Sequence, residues 1–276
     1  MNPAFPTLGL EHFQENARND VRLLDHFIHG KNTITAPHKH DFFLFFLIEQ
    51  SAGTHTIDFV DYPVADHQIH LLLPGQVHHW QLASYTKGYQ LMLSQALVQT
   101  FTDYLRFSPV LITPILSLDY KSYLVFQQEF DQLSAELGAL QPDWTLIGLR
   151  CRIISRLISR ELERNPSFPA TASPVLVNYL QLLEENYKTE KAVSFYADHL
   201  HITPNYLTIL CKKYLGLSAG QMIHNRLLLE AKRLLQITDT SIKEISYELG
   251  FEDLANFSNF FKKQTGVSPR AFRQEL

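Results

Sequence analysis

The stretch SIKEISYELGFEDLANFSNFFKKQTGVSPRAFR, residues 241–273, reads as two helices joined by a tight turn. Thr240 or Ser241 is placed to cap a short first helix whose Ile242, Ile245 and Leu249 share one face. Gly250 supplies a left-handed residue to stop that helix, and Phe251 plugs the bend. Glu252 and Asp253 open a second helix at the positive end of its dipole, running to Gln264. Gly266 ends it, and Ser268-Pro269 starts a last short helix. A three-turn helix set just after a tight turn, with polar residues outward, has the geometry that reads DNA in a major groove.

The same unit occurs upstream. LTILCKKYLGLS (207–218) overlays FSNFFKKQTGVS (257–268) at an offset of 50, and SFYADHLHI (194–202) overlays KEISYELGF (243–251) at an offset of 49. The one-residue difference falls in the turn, where an insertion is tolerated best. Thr203-Pro204 supplies the cap and first helical residue of the upstream copy, and His201 stands where the second copy has Gly250. Histidine tolerates a positive φ less well than glycine. The helical run SAGQMIHNRLLLEAKRLL (218–235) ties the two copies together.

Two such units in tandem resemble the DNA-binding domain of the AraC/XylS family of bacterial transcription regulators. The resemblance spans residues 175–276 and is most specific over 241–273. It implies a sequence-specific regulator of double-stranded DNA, expected to act as an activator and as a homodimer, with RNA polymerase among the implied partners. On the first recognition helix Pro204, Asn205, Thr208, Ile209 and Lys212 are expected to face outward, with Tyr206, Leu207 and Leu210 inward. On the second, Ala255, Asn256, Asn259 and Lys263 face outward, with Phe257, Phe260 and Phe261 inward. Family members commonly place arginine at the positions of Ile209 and Asn259. Its absence removes the bidentate guanine contact and leaves Asn205, Asn256 and Asn259 as adenine readers. Lys212, Lys213, Lys262, Lys263, Arg270 and Arg273 are the phosphate-neutralising set.

The first 173 residues have another character. The chain of 276 residues has a net charge of −4, but residues 174–276 carry +1 and the remainder −5. Of 13 histidines, 7 fall between His38 and His79. Short β-rich runs at 42–48, 54–60, 68–73, 77–82 and 88–93 point to an antiparallel sandwich or barrel, with FFLFFLI (42–48) covered on both faces. PHKHDFF (37–43) and LLLPGQVHHW (71–80) resemble the two half-motifs of a cupin barrel. The carboxylate that metal-binding cupins supply is replaced by Leu44 and Phe45, so no metal or other cofactor is expected, although His38, His40 and His78 could chemically form a three-histidine site. His38, His40, Phe45, His78 and Trp80 are instead the candidate ligands of a small-molecule effector.

Beyond residue 94 the period changes. Tyr123, Phe126, Phe130, Leu133 and Leu137, then Trp144, Ile147, Cys151, Ile154 and Ile158, mark two helices hinged at Gly138–Pro142, with Pro142 in the first turn of the second. A 3-4 spacing fits packing on the barrel and pairing between chains equally well. ERNPSFPATASP (163–174) reads as a linker.

The expected architecture is α+β. An antiparallel, cupin-like β-barrel (about 20–95) and a helical hairpin (about 96–162) form a sensing and dimerisation domain, 1–162. The linker 163–174 leads to an all-α tandem helix-turn-helix domain, 175–276. At 45% hydrophobic and 19% charged, the composition excludes a disordered or collagen-like chain. Cys151 and Cys211 lie 60 residues apart, which excludes a cysteine zinc ribbon or disulfide framework and suits a reducing compartment. With no charged leader and no apolar run of 18 residues, neither a signal peptide nor a membrane span is expected, and the location is cytoplasmic. No nucleophile constellation or phosphate loop points to catalysis. The alternatives are a cupin metalloenzyme fused to a DNA-binding tail, or a DNA binder controlled by a partner protein with an empty barrel.

Overall fold

The computed structural model describes residues 7–10, 20–25, 37–100, 114–164, 174–237 and 240–274. These divide into two compact units, one up to Arg164 and the other from Pro174. Of the linker expected at 163–174, residues 165–173 lie outside the described residues; Glu163 and Arg164 still belong to a helix and Pro174 opens the next.

In the first unit, strands β1 (Thr7–Leu8), β2 (Val21–Asp25), β3 (Lys39–His40), β4 (Phe43–Gln50), β5 (Gly53–Ile57), β6 (Val60–Val64), β7 (Gln68–Leu72), β8 (His78–Leu82) and β9 (Lys87–Leu93) precede the short helix α1 (Gln95–Gln99). Strand β10 (Ile115–Ser117) and helices α2 (Tyr120–Leu137) and α3 (Trp144–Arg164) follow. A five-stranded sheet in the order β10-β7-β4-β9-β2 faces a three-stranded sheet β6-β5-β8, with β1 and β3 paired separately and in parallel. The expected barrel is therefore, among the described residues, a pair of facing sheets without closure. The expected helical stretch from 96 also holds β10, which pairs antiparallel with β7.

Strand β4 is central and apolar on both faces, as its sequence predicts. Leu44, Phe46 and Ile48 point toward the small sheet, where they meet Ile57, Val64 and Trp80. Phe45 and Leu47 point the other way, into a core with Phe126, Phe130, Ile147, Cys151, Ile154 and Ile158 of α2 and α3. The helical stripes are thus buried within one chain, except for Leu137, which is half-buried, and Trp144, expected on the inner stripe but 37% exposed at the start of α3. Each such buried side chain contributes about 1.5–3 kcal/mol relative to exposure. Asp143 caps α3 by accepting from the N–H groups of Thr145 and Leu146 at 2.9 and 3.1 Å. Pro142 consequently lies before the helix rather than in its first turn.

The run 54–60, expected as one strand, is broken by a hairpin turn. Asp58 and Phe59 both take positive φ, 46° and 71°, the backbone of a tight two-residue hairpin. The Asp58 carboxylate anchors the turn by accepting from Gln76 Nε2 at 2.7 Å and Val77 N at 3.2 Å.

The second unit is all helical: α4 (Pro174–Asn186), α5 (Val193–His199), α6 (Pro204–Leu215), α7 (Ala219–Ile237), α8 (Ile242–Glu248), α9 (Leu254–Thr265) and α10 (Pro269–Gln274). One continuous core, including Tyr179, Tyr196, Leu207, Leu227, Ile245 and Phe257, runs through both helix-turn-helix copies. No helix among the described residues is long and apolar enough to cross a membrane.

Candidate nucleic-acid interface and histidine cluster

Both predicted recognition helices form, and their ends match residue for residue at the offset of 50. Thr203 caps α6 by accepting from Tyr206 N at 3.2 Å, and Asp253 caps α9 by accepting from Asn256 N at 2.7 Å. Gly216 and Gly266 close the two helices in the left-handed conformation at φ 72° and 84°. In the preceding turns His201 and Gly250 are also left-handed, at 54° and 66°. Ser241 rather than Thr240 caps α8, through a reciprocal capping box with Glu244.

The second copy is fixed from three directions. Lys191 Nζ donates to the carbonyls of Gly250 and Lys188 and lies 4.9 Å from the centre of the Phe251 ring. Lys188 pairs with Glu248 at 2.8 Å. Arg273 donates to the carbonyls of Leu235 and Thr240 at 3.0 and 2.8 Å. Within α7 the buried Arg226 bonds Glu184 at 2.8 Å and Glu230 at 3.0 Å, and its guanidinium lies 4.0 Å from the Tyr187 ring centre. Burial would raise the Glu230 carboxyl, but Arg226 and Arg233 outweigh it and hold the group below its usual range. These bonds join α4, α7 and the second copy into one body.

On α6, Pro204, Asn205, Ile209, Lys212 and Lys213 are exposed, Thr208 is half-buried, and Leu207 and Leu210 are buried. Tyr206 is a correction. Expected to face the core, it is 48% exposed at the start of the helix. On α9, Ala255, Asn256, Asn259, Lys262 and Lys263 are exposed, while Phe257 and Phe261 are buried and Phe260 is half-buried against Phe251. Asn256 Nδ2 donates to Asp253 Oδ2 at 3.2 Å, so one of its amide protons is committed to the helix cap. The lysine pairs 212–213 and 262–263 occupy the last turn of each helix.

In the first unit the structure gathers His38, His40, His78 and Trp80 but not Phe45, which belongs to the opposite face of β4. Phe46 takes its place, with its ring centre 5.6 Å from that of Trp80. Two histidines not singled out from the sequence complete the cluster. His55 on β5 and His70 on β7 approach through their Nδ1 atoms at 2.8 Å, and His55 Nε2 lies 3.1 Å from His78 Nδ1.

The proton positions follow from the end of this chain. Gln68 Oε1 accepts from Ala65 N at 2.9 Å and from His70 Nε2 at 3.1 Å. His70 Nδ1 must then accept from His55 Nδ1, and His55 Nε2 from His78 Nδ1. His40 Nδ1 donates to the Phe42 carbonyl at 2.8 Å. His40 Nε2 and His78 Nε2 are left as buried lone pairs, with no hydrogen-bond partner among the described residues. Burial lowers His40 and His70 to about 3, and burial together with the neighbouring histidines holds His55 and His78 well below the ordinary value. All four rings are neutral at pH 7. Among the described residues, no group of three or more histidine, cysteine or carboxylate side chains is arranged to hold a metal ion. A cavity of about 160 Å³ lies on the other face of the large sheet, lined by Glu49, Lys87, Tyr89, Tyr123 and Gln127 among others.

Comparison with known proteins bears chiefly on the second unit. Residues 196–275 match the family model of a helix-turn-helix domain. The transcriptional activator RhaS of Enterobacter sp. (strain 638) is 32% identical over 92 residues, which are 33% of this chain and 33% of RhaS. The HTH-type transcriptional regulator YobQ of Bacillus subtilis (strain 168) is 26% identical over 184 residues, 62% of this chain and 72% of YobQ. The solved C-terminal domain of AraT, a response regulator from Geobacillus stearothermophilus, is 28% identical, with a TM-score of 0.37 over 38% of this chain and 88% of that domain. The chain spans 13% to 50% of the length of three further curated relatives that it matches.

Proposed function

We propose, from the match of residues 196–275 to a helix-turn-helix domain and the resemblance of 175–276 to AraC/XylS regulators, that this chain is a sequence-specific transcription regulator controlled by a small molecule. The observation that carries the reading is the structural repeat. Two recognition helices share their cap positions, their left-handed turns and their lysine pairs, and stand on one core. Asn205, Thr208, Ile209, Ala255, Asn256 and Asn259 face base edges, and Lys212, Lys213, Lys262 and Lys263 face phosphates.

The first unit is the sensor, a cupin-like fold whose effector meets His38, His40, His78 and Trp80. Two buried imidazole lone pairs suit a ligand that brings hydrogen-bond donors, because leaving them unsatisfied costs about 1–3 kcal/mol each. The chain acts in the cytoplasm as a homodimer. The outward faces of α2 and α3, where Leu124, Leu149 and Ile153 are exposed, provide the pairing surface, since the inner stripes are spent on the sheet. As an activator it engages RNA polymerase at the promoter. Effector binding shifts the population between two domain arrangements.

The test is selection of duplexes from a random library by the full chain, with and without small molecules that raise its melting temperature. Enrichment of one sequence family, with affinity altered by such a molecule, is the expected result. Equal retention of all duplexes would overturn the reading.

A further inference from the structure

We infer that the two recognition helices read A·T base pairs, with adenine and thymine in opposite order in the two clusters. This rests on the DNA-binding reading above and names the sequence class of its target.

The base-reading part of a recognition helix is its N-terminal half. From Pro204 to Ile209 and from Leu254 to Asn259, no residue carries a charge. Guanine is read by Arg or Lys at O6 and N7, and cytosine by Asp or Glu at N4. Neither chemistry is present on these half-helices, and the lysine pairs lie a further turn along, at the phosphate-facing end. What is exposed is amide, hydrocarbon and the uncharged Tyr206 phenol. Asparagine pairs with adenine N6 and N7, and an apolar side chain meets the thymine methyl.

The arrangement narrows this further. At the offset of 50, Asn205 corresponds to Ala255, and Ile209 to Asn259. In each helix the two positions are four residues apart and so share one face. The spacing is about 6 Å along the axis, close to two base-pair steps of about 3.4 Å. The first helix therefore presents asparagine and then hydrocarbon, and the second presents hydrocarbon and then asparagine. Ile209 is 52% exposed, an aliphatic surface that gains by meeting a methyl group. Asn256, tethered to Asp253, is the weaker amide reader; Asn205 and Asn259 carry the adenine contacts. The clusters consequently differ, and the site has a direction.

The experiment uses the full chain and the duplex it selects from a random library. Two A·T-rich clusters are expected. Replacing thymine by deoxyuridine in the first cluster removes only the methyl group and should weaken binding about fourfold per contacted base. For Ile209→Ser, which replaces the hydrocarbon by a hydroxyl, the two duplexes should bind alike. Replacing adenine by 7-deazaadenine in the second cluster should weaken binding about tenfold, and Asn259→Ala should abolish that difference. Both residues are exposed, so the variants keep the fold. Specific binding to G·C-rich clusters, or to thymine and deoxyuridine duplexes equally, would overturn the inference while leaving DNA binding intact. Failure to enrich any sequence would overturn both.

Discussion

His201 and Gly250 hold the same left-handed backbone position in two successive copies of one turn, at φ 54° and 66°. Only one of them is free of a Cβ. The first copy therefore bears the steric cost of a left-handed L-residue, about 1–2 kcal/mol, while the second avoids it. The asymmetry has a local cause. A Cβ built at Gly250 would lie 2.0 Å from the Lys188 carbonyl oxygen, because the chain leaving α4 passes directly over the second turn.

Substitution at the two positions should consequently act in opposite directions. Gly250→Ala combines a clash with backbone strain and should cost about 2–4 kcal/mol. His201→Gly relieves strain at some cost in unfolded-chain entropy and should gain about 1 kcal/mol. Urea unfolding followed by far-UV circular dichroism measures both. Equal and small effects would mean that the turns are not held as described.

Acid should destabilise the sheet unit first. His40 and His70 stand at about 3, with His55 and His78 also well below the ordinary value, against about 6.5 in an unfolded chain. Between these values the unfolded chain binds protons that the folded one refuses. Stability is therefore full above about pH 6.5 and falls as the pH drops toward 3, by up to about 1.4 kcal/mol per pH unit for each such histidine. Trp80 and Trp144, the chain's two tryptophans, both belong to this unit, so intrinsic fluorescence reports its unfolding. The urea midpoint should drop between pH 7.5 and 5.5. An unchanged midpoint would show that the rings are not neutral and buried.

The helix-turn-helix copies were legible because their punctuation lies in single residues at fixed offsets: Gly216 and Gly266, Thr203 and Asp253. The sheet unit was less so. A continuous apolar run such as 42–48 announces a central strand but carries no phase, so its sequence does not distinguish Phe45 from Phe46 as the neighbour of the histidines. The hairpin at Asp58-Phe59 lacks the glycine that usually marks such a turn. His55 and His70 come together only through the pairing of β5 with β8 and of β7 with β4, a register that no local pattern encodes. Tyr206 looked internal from its apolar ring, but the first turn of α6 leaves it half in solvent.

The two recognition helices ride on one rigid body, sharing a single core. Helix α7, Ala219–Ile237, has 19 residues and so a length of about 28 Å, near the roughly 34 Å between successive major-groove faces. The most direct test is to place spacers of about 5 and about 10 bp between the two selected clusters and measure binding by the full chain. Half a turn puts the second cluster on the far side of the duplex, and a whole turn restores the face but exceeds the reach of a stiff helix. Specific binding should be lost with both. Binding that recovers at about 10 bp would contradict a rigid connection.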